Sequence, residues 1–366
     1  MADLARSYSH QKYTLSIVNT FYSIALLLVF LGSGLSLSLE NIIRQINLPG
    51  YLSIAAFLLI ISISYYLLSL PLNFYSGYVL EHKFALSKQK IGAWCMDELK
   101  SGLLAYLIFL ILILGFYWVL FRFSQWWLAI SIFWIAFSVV LAKLTPVLII
   151  PLFFKYKKLE DELLRQRIFN LAQKMQVKLL DVFEIDFSKK TLKANAAFTG
   201  MGKTKRVILA DTLKDKYSHD EVESILAHEF AHFQRKHIFK LIAINSLLTL
   251  GLFYLIFKTS AYFLAVFKLS TLSQLASLPL AFLYFLLFGI ILQPLEAYVS
   301  RRFEREADRL ALKTTRNKEA FISLMDKLAT QNLADRSPHA LIKFFFFDHP
   351  PINERIQMAR EIQGPI

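Results

Sequence analysis

The sequence contains the stretch Ile225-Leu-Ala-His-Glu-Phe-Ala-His-Phe-Gln-Arg235. It places His228 and His232 four residues apart, with Glu229 directly after the first histidine. On an α-helix, residues four apart share one face, so both imidazoles can reach a single ion. Zn²⁺ accepts neutral imidazole nitrogens, and a catalytic zinc takes three protein ligands and leaves one position for water. Glu229 is then placed to take the proton of that water as general base, and one zinc ion per chain is expected.

The flanking residues predict that this stretch is helical. Ser218 and Glu221 fit a capping box, because an N-cap serine is followed three residues later by glutamate. Apolar residues then recur at helical spacing, which gives the helix a face to bury. The alternative is a surface helix on which two histidines meet only solvent.

Composition indicates a membrane protein. Of the 366 residues 56% are hydrophobic and 15% are aromatic, which is more than a soluble chain carries on average. The net charge of +14 does not indicate nucleic acid as a partner, because the basic residues lie in a few segments between apolar runs. The single cysteine, Cys95, excludes an intrachain disulfide and a thiolate zinc cage.

Apolar runs predict six membrane spans, and a lipid bilayer is therefore the expected surroundings. A seventh span is an alternative at 259–274, and Pro71 is expected to stop the second. The polar region 152–236 is long enough for a soluble subdomain, with a helix at 159–175 and strands at 182–185 and 207–209. The predicted spans are 14–37, 51–70, 102–121, 126–151, 238–257 (or as far as 267) and 275–295.

This pattern predicts a mainly α fold, in which a polytopic membrane helical bundle carries an α+β subdomain. The chain divides into a membrane region (1–151), the segment with the two histidines (152–237), two further spans (238–295) and a C-terminal segment (296–366). Six spans place the region 152–236 and both termini on one side. Most Lys and Arg residues lie on that side, so we expect it to face the cytoplasm.

Two histidines do not complete a zinc site, so a third ligand must come from elsewhere. The stretch Ser300-Arg-Arg-Phe-Glu-Arg-Glu-Ala-Asp-Arg309 offers Glu304 and Asp308 on one helical face, one to bind metal and one to steady a ligand imidazole. Spacing alone does not choose Glu304 over Glu306 or Glu296. The alternative is a basic amphipathic helix at the membrane surface.

These motifs together resemble the type I CAAX prenyl protease family, whose members are membrane-embedded zinc metalloproteases. His-Glu-x-x-His is followed by two spans and then by Glu-x-x-Ala-Asp, as in that family. Its other motifs are matched from about residue 70 onward, and His237 stands where the family has a histidine. The matching stretches are Pro151-Leu-Phe-Phe-Lys-Tyr-Lys-Lys-Leu159, Lys193-Ala-Asn-Ala-Ala-Phe-Thr-Gly200, Val207-Ile-Leu-Ala-Asp-Thr-Leu213 and His349-Pro-Pro-Ile-Asn-Glu-Arg355.

The resemblance implies a zincin-like protease subdomain and roles for individual residues. Glu304 is implied as the third zinc ligand, with Asp308 supporting a ligand histidine. His349 is implied to stabilise the oxyanion, and Arg355 to help place that histidine or the substrate. The segment Asn195, Ala196, Ala197 and Phe198 is implied to be an edge strand that binds an extended peptide.

The resemblance also implies the reaction, which is hydrolysis of peptide bonds in membrane-associated substrates by CAAX-type C-terminal processing. The expected partners are peptides or proteins, prenylated or membrane-bound. The eukaryotic members have seven spans, and this chain departs from them in the loose match at 81–89 and in Phe154. These departures favour a bacterial relative in the inner membrane over a protein of the endoplasmic reticulum.

Three alternatives stay open. One is membrane-protein quality control by a protease of the same chemistry. Another is a transporter with a regulatory metal site, although the sequence has no repeated halves. The third is a scaffold with a structural zinc site, against which the intact Glu229 argues.

Overall fold

The computed structural model of the protein describes residues 2–200, 205–214 and 216–362. Within these ranges six helical segments are long and apolar enough to cross a membrane, as predicted, and a seventh at 259–274 is not among them. The segments are Asp3–Gly32, Gly50–Lys83, Ile91–Arg122, Trp126–Phe153, His237–Val266 and Leu275–Thr315.

The first predicted span is two helices. Helix α1 ends at Gly32, and Gly34 has a φ of 77°, a left-handed conformation that glycine adopts without a steric penalty. The chain turns there into α2, so the apolar run 14–37 does not form one straight helix. The bounds are Ala2–Gly32 for α1 and Leu35–Gln45 for α2.

The second predicted span does not stop at Pro71, so that prediction is wrong. Helix α3 (Gly50–Phe74) includes this proline and continues through a π-helical turn (Tyr75–Val79) into α4 (Leu80–Lys83). A proline removes one hydrogen-bond donor from a helix, and membrane helices tolerate the loss where local adjustments satisfy the freed groups. The remaining helices of the N-terminal region are α5 (Ile91–Arg122), α6 (Trp126–Leu144), a second π-helical turn (Thr145–Ile149) and α7 (Ile150–Phe153).

The last predicted span is the first half of a much longer helix. Helix α11 (Leu278–Thr315) passes through Pro294 without interruption and carries Glu304 and Asp308. The predicted division between residues 295 and 296 therefore falls inside one helix. Helix α10 (His237–Val266) precedes it and agrees with the longer alternative for the fifth span, 238–267, rather than with 238–257.

The polar region between the fourth and fifth apolar segments contains a four-stranded sheet in the order β1-β2-β4-β3, and β3 lies at one edge. Strand β4 pairs parallel with β2 and antiparallel with β3. The sheet and helices α8, α9, α12 and α14 contribute to one hydrophobic core that includes Val182, Val207, Leu226 and Phe321. The strands are β1 (Tyr156–Lys158), β2 (Asp181–Ile185), β3 (Ala196–Thr199) and β4 (Arg206–Ala210), and the helices are α8 (Glu162–Lys174), α9 (His219–Gln234), α12 (Lys318–Gln331), α13 (Ala340–Phe346) and α14 (Ile352–Glu361).

Candidate metal centre

Helix α9 is fixed at its start by the predicted capping box. The amide of Glu221 donates to Ser218 Oγ at 3.3 Å, and the amide of Ser218 donates to Glu221 Oε2 at 2.7 Å. Leu226 and Phe230 on the same helix are fully buried in the hydrophobic core. The helix is therefore held in one orientation against α11, and it presents His228 and His232 to that helix.

His228, His232 and Glu304 bring one ligand atom each to within 4.8 Å of one another. The two Nε2 atoms are 3.1 Å apart, and each lies 3.1 Å from one oxygen of the Glu304 carboxylate. Glu304 Oε2 is buried, and it makes no hydrogen bond among the described residues. Two imidazole nitrogens and a buried carboxylate that converge at these distances are a donor set that suits a divalent metal ion such as Zn²⁺.

The other nitrogen of His228 is held by Asp308. Asp308 Oδ1 accepts a hydrogen bond from His228 Nδ1 at 2.8 Å, so Nε2 is the nitrogen that faces Glu304 and the candidate metal position. Burial lowers the pKa of His228, but the carboxylates of Asp308 and Glu304 outweigh burial and raise it to about 10. Asp308 thus fixes the orientation of the ring, and a metal ion that binds at Nε2 would displace the proton that this nitrogen otherwise carries.

Arg355 lies behind this pair. Its guanidinium donates to Asp308 Oδ2 at 2.8 Å and to Oδ1 at 2.5 Å, and its side chain is buried. Burial lowers the pKa of Arg355, but the charge of Asp308, and further the charges of Glu304 and Glu229, raise it above its usual value. Arg355 thus lies buried behind Asp308, and its implied role beside His349 or the substrate stays a prediction.

His232 is held by a relay that the sequence did not reveal. His237 Nε2 lies 3.3 Å from Glu306 Oε2, and its Nδ1 lies 3.0 Å from His232 Nδ1. Because the carboxylate of Glu306 accepts a hydrogen bond from Nε2–H of His237, Nδ1 of His237 is the acceptor for the N–H of His232. His232 Nε2 is then free to face Glu304. His237 itself stacks on Phe303, with ring centroids 4.4 Å apart.

His349 approaches the cluster from the loop before α14. Its Nε2 is 3.3 Å from Glu304 Oε2, and its Nδ1 is 2.8 Å from Asp348 Oδ1. The side chain is 52% exposed, so it faces the open side of the cluster. Partial desolvation lowers the pKa of His349, but Asp348 and Glu304 outweigh it and raise the pKa above its usual value. The role of Asp348 was also missed, although its position next to His349 in the sequence was a usable signal.

Glu229 and the other candidate carboxylates take distinct positions. Glu229 follows His228 on α9 and is partly exposed. Glu306 lies against His237 and Arg235, and Glu296 is exposed two turns before Glu304 on α11. Of the three carboxylates that the spacing left open, only Glu304 reaches the two histidines.

The predicted substrate segment lies beside α9. Ala196, Ala197 and Phe198 belong to edge strand β3, while Asn195 precedes it and is exposed. Phe198 contacts Phe230 of α9 with ring centroids 5.1 Å apart. The edge of the sheet therefore runs next to the helix that carries the two histidines.

A bundle of six apolar helices, with an HExxH helix, a glutamate from a second helix and an edge strand beside them, defines a membrane-embedded metalloprotease. Residues 158–363 match peptidase family M48, and residues 2–155 match the family described as CAAX prenyl protease N-terminal, five membrane helices. The chain belongs to peptidase family M48, and it is a multi-pass membrane metalloendopeptidase. The predicted family and fold class are confirmed.

Two relatives and one solved structure resemble nearly the whole chain. The metalloprotease YhfN of Bacillus subtilis is 32% identical over 98% of this chain and 85% of that protein. CAAX prenyl protease 1 of Saccharomyces cerevisiae is 30% identical over 96% of this chain and 84% of that protein. The crystal structure of S. mikatae Ste24p superposes with a TM-score of 0.87 at 28% identity, over 97% of this chain and 88% of that one.

Proposed function

We propose that this protein is a zinc endopeptidase in which His228, His232 and Glu304 hold one Zn²⁺ ion. The convergence of these three side chains, with the buried Glu304 Oε2 left without a hydrogen bond from any described residue, is the observation that carries the proposal. Neutral imidazole and carboxylate ligands are the set found in catalytic zinc sites that keep one position open.

The side chains around the cluster supply the proton transfers. Bound Zn²⁺ would lower the pKa of water in its open position and polarise the scissile carbonyl. Glu229, next to His228 and partly exposed, accepts the proton of the attacking water and returns it to the leaving amine. His349, steadied by Asp348, donates from Nε2 to the oxygen on which negative charge develops.

The substrate is an extended peptide that adds to the edge of β3 at Asn195, Ala196, Ala197 and Phe198. Main-chain pairing to a sheet edge binds a peptide with little regard to its side chains and aligns its carbonyls in a fixed register. Because a relative of this chain is a CAAX prenyl protease, we propose C-terminal processing of membrane-associated, prenylated peptides as the reaction.

We further propose that the metal centre faces the cytoplasm. An even number of spans leaves both termini, the sheet and the metal ligands on the same side of the membrane. That side carries most of the Lys and Arg residues, which is the bias found on the cytoplasmic side.

The test compares the purified wild type with Glu229→Gln for zinc content and for cleavage of a farnesylated CAAX peptide. We expect about one zinc in both proteins and a loss of cleavage of about 10²–10⁴-fold in the variant. Glu296→Gln, which removes an exposed carboxylate from the helix of Glu304, is the matched control and should retain both properties.

Two results would change the proposal. Equal cleavage of farnesylated and unmodified peptides, together with cleavage of an unfolded membrane protein, would replace CAAX processing by quality control. Bound zinc without cleavage of any of these substrates by the wild type would contradict the proposed peptidase mechanism.

A further inference from the structure

The main-chain groups around β3 alternate between two sides. The amide of Ala210 donates to the carbonyl of Asn195 at 3.0 Å, and Thr212 Oγ1 donates to the carbonyl of Lys193 at 2.8 Å. The main-chain N–H and C=O groups of the odd-numbered residues in this segment thus point toward β4 and the residues after it. Because successive residues of an extended chain face opposite sides, the N–H and C=O groups of the even-numbered residues face the outer edge. The even-numbered residues here are Leu192, Ala194, Ala196 and Phe198.

The first two of these edge positions are already paired within the protein. The amide of Leu192 donates to the carbonyl of Leu86 at 2.8 Å, and the carbonyl of Leu192 accepts a hydrogen bond from Gln331 Nε2 at 2.7 Å. Ala194 is paired by one side chain, because its amide donates to Asn332 Oδ1 at 2.8 Å and its carbonyl accepts from Asn332 Nδ2 at 3.3 Å. The side-chain amide of Asn332 therefore occupies the place that a residue of an added strand would take.

Asn332 is held firmly in this position. It is the C-cap residue of α12, and its own amide donates to the carbonyl of Leu328 at 3.0 Å. The next residue, Leu333, is buried and has a φ of 49°, so the chain turns sharply after Asn332. Ser9 Oγ of α1 donates to the carbonyl of Leu333 at 3.1 Å. Helix α1 thus stabilises the turn at Leu333, which holds the side-chain amide of Asn332 beside Ala194.

We propose that Asn332 is a positioning residue that closes the edge of β3 at Ala194 and so sets the register of the bound peptide. The inference rests on the proposed binding of substrate to this edge. With Ala194 closed, an added strand pairs with Ala196 and Phe198 and with no residue before them. If the peptide shifted along β3 by one residue, every substrate side chain would turn to the opposite face of the sheet. The shift that keeps the side chains on the same face is one of two residues, and this is the shift that Asn332 prevents. Asn332 thereby determines which peptide bond lies at the metal centre.

The test is a scan with a series of CAAX-type peptides in which one amide at a time is N-methylated, because methylation removes one main-chain donor. For the wild type we expect two sensitive positions, two residues apart, besides any at the scissile bond. Cleavage at each should fall about fivefold or more, as expected for the loss of a main-chain hydrogen bond. For Asn332→Ala we expect a third sensitive position two residues further on. Products displaced by two residues should also rise about fivefold relative to the main product.

Two further variants separate this effect from a general loosening of the segment. Gln331→Ala removes the neighbouring amide, which bonds the same segment at Leu192, and it should keep the wild-type pattern. Asn332→Ser keeps a polar residue at the end of α12, but its side chain is too short to bond both main-chain groups of Ala194. The place beside Ala194 is then open to a substrate residue, so the third sensitive position should appear even if Asn332→Ala does not fold.

The outcomes distinguish this inference from the proposed function. Wild-type cleavage with two sensitive positions, and an unchanged pattern in both Asn332 variants, would overturn the inference and leave the protease intact. The same new position in Gln331→Ala would also overturn it. Wild-type cleavage with no sensitive pair would remove the edge strand from substrate binding, and the inference would fall with it.

Discussion

The guanidinium of Arg355 donates hydrogen bonds to both carboxylate oxygens of Asp308, to Oδ2 at 2.8 Å and to Oδ1 at 2.5 Å, and the buried pair lies behind His228. The pair joins helix α14, close to the C-terminus, to helix α11, which emerges from the membrane. Since Asp308 also accepts a hydrogen bond from His228, the orientation of this proposed metal ligand on α9 depends on two other helices.

Replacing Arg355 by lysine should weaken metal binding without removing the positive charge. Lysine is a point charge and cannot reproduce the two-pronged geometry of the guanidinium. Partners that orient metal-bound histidines typically contribute 10–100-fold to metal affinity, so we expect the zinc affinity of Arg355→Lys to fall by about that factor. Competition with a chromophoric chelator measures it, and Arg360→Lys, an exposed change on the same helix, should leave the affinity unchanged.

The relay behind His232 gives a second prediction. His237→Phe keeps a ring that can stack on Phe303 but has no nitrogen to accept from His232. We expect its zinc affinity to fall about 10-fold or more, because His232 loses the partner that fixes its tautomer. His237→Ala removes both the stack and the hydrogen bond. Wild-type affinity in the phenylalanine variant, with a loss only in the alanine variant, would assign His237 to packing alone.

Glu221 gives a prediction about pH and stability. The residue is 2% exposed, and its carboxylate accepts hydrogen bonds from Ser323, Lys327 and the amide of Ser218. Burial raises the pKa of Glu221, but these donors outweigh burial and hold it below its ordinary value of 4.5. A depressed pKa contributes stability above the unfolded-state pKa, and this stability is lost as the pH falls through the folded-state value.

We therefore expect Glu221→Gln to lower the free energy of unfolding by about 1–2 kcal/mol at pH 7, because buried donors lose a charged acceptor. The difference from the wild type should shrink as the pH falls below about 4.5, the ordinary value for this carboxyl. Thermal unfolding of the metal-stripped proteins in detergent, measured across this range, checks it. Glu319→Gln, at an exposed position on α12, should show a much smaller difference. If the difference in unfolding free energy between the wild type and Glu221→Gln did not change with pH, the ionised carboxylate of Glu221 would not be the source of this stability.

The single cysteine tests the proposed orientation. Cys95 is exposed near the start of α5, on the side of the metal centre. A membrane-impermeant maleimide should therefore label it in inside-out vesicles and not in right-side-out ones. Ser124, exposed in the short loop between α5 and α6, provides the matched reporter: Ser124→Cys in a Cys95→Ser background should label in the opposite vesicles. The reverse pattern at both positions would place the metal centre outside the cytoplasm.

The parts of the protein that depend on local sequence were predicted well. The capping box, the HExxH helix and the two buried strands each follow from a few adjacent residues, because their hydrogen bonds and apolar faces are local. Glu304 was different. Its spacing left Glu306 and Glu296 open, and only the family resemblance separated them before the helices were seen to pack.

Features that join distant segments escaped prediction. Asn332 bonds Ala194 across 138 residues of chain, and His237 meets Glu306 across 69. An asparagine before a leucine carries no local sign that its amide will close a strand edge. The continuation of α3 past Pro71 was missed for a related reason, because proline ends helices in water more reliably than in a protein–lipid environment.

The length of α11 has a consequence for biosynthesis. The two histidines precede the last two membrane spans in the chain, and the glutamate follows them on the very helix that forms the sixth. A nascent chain thus carries the two histidines but not Glu304 until the helix of the sixth span has been synthesised, so the proposed metal centre is incomplete up to that point. We therefore expect that a chain whose synthesis stops before the sixth span has no peptidase activity and cannot cleave neighbouring proteins.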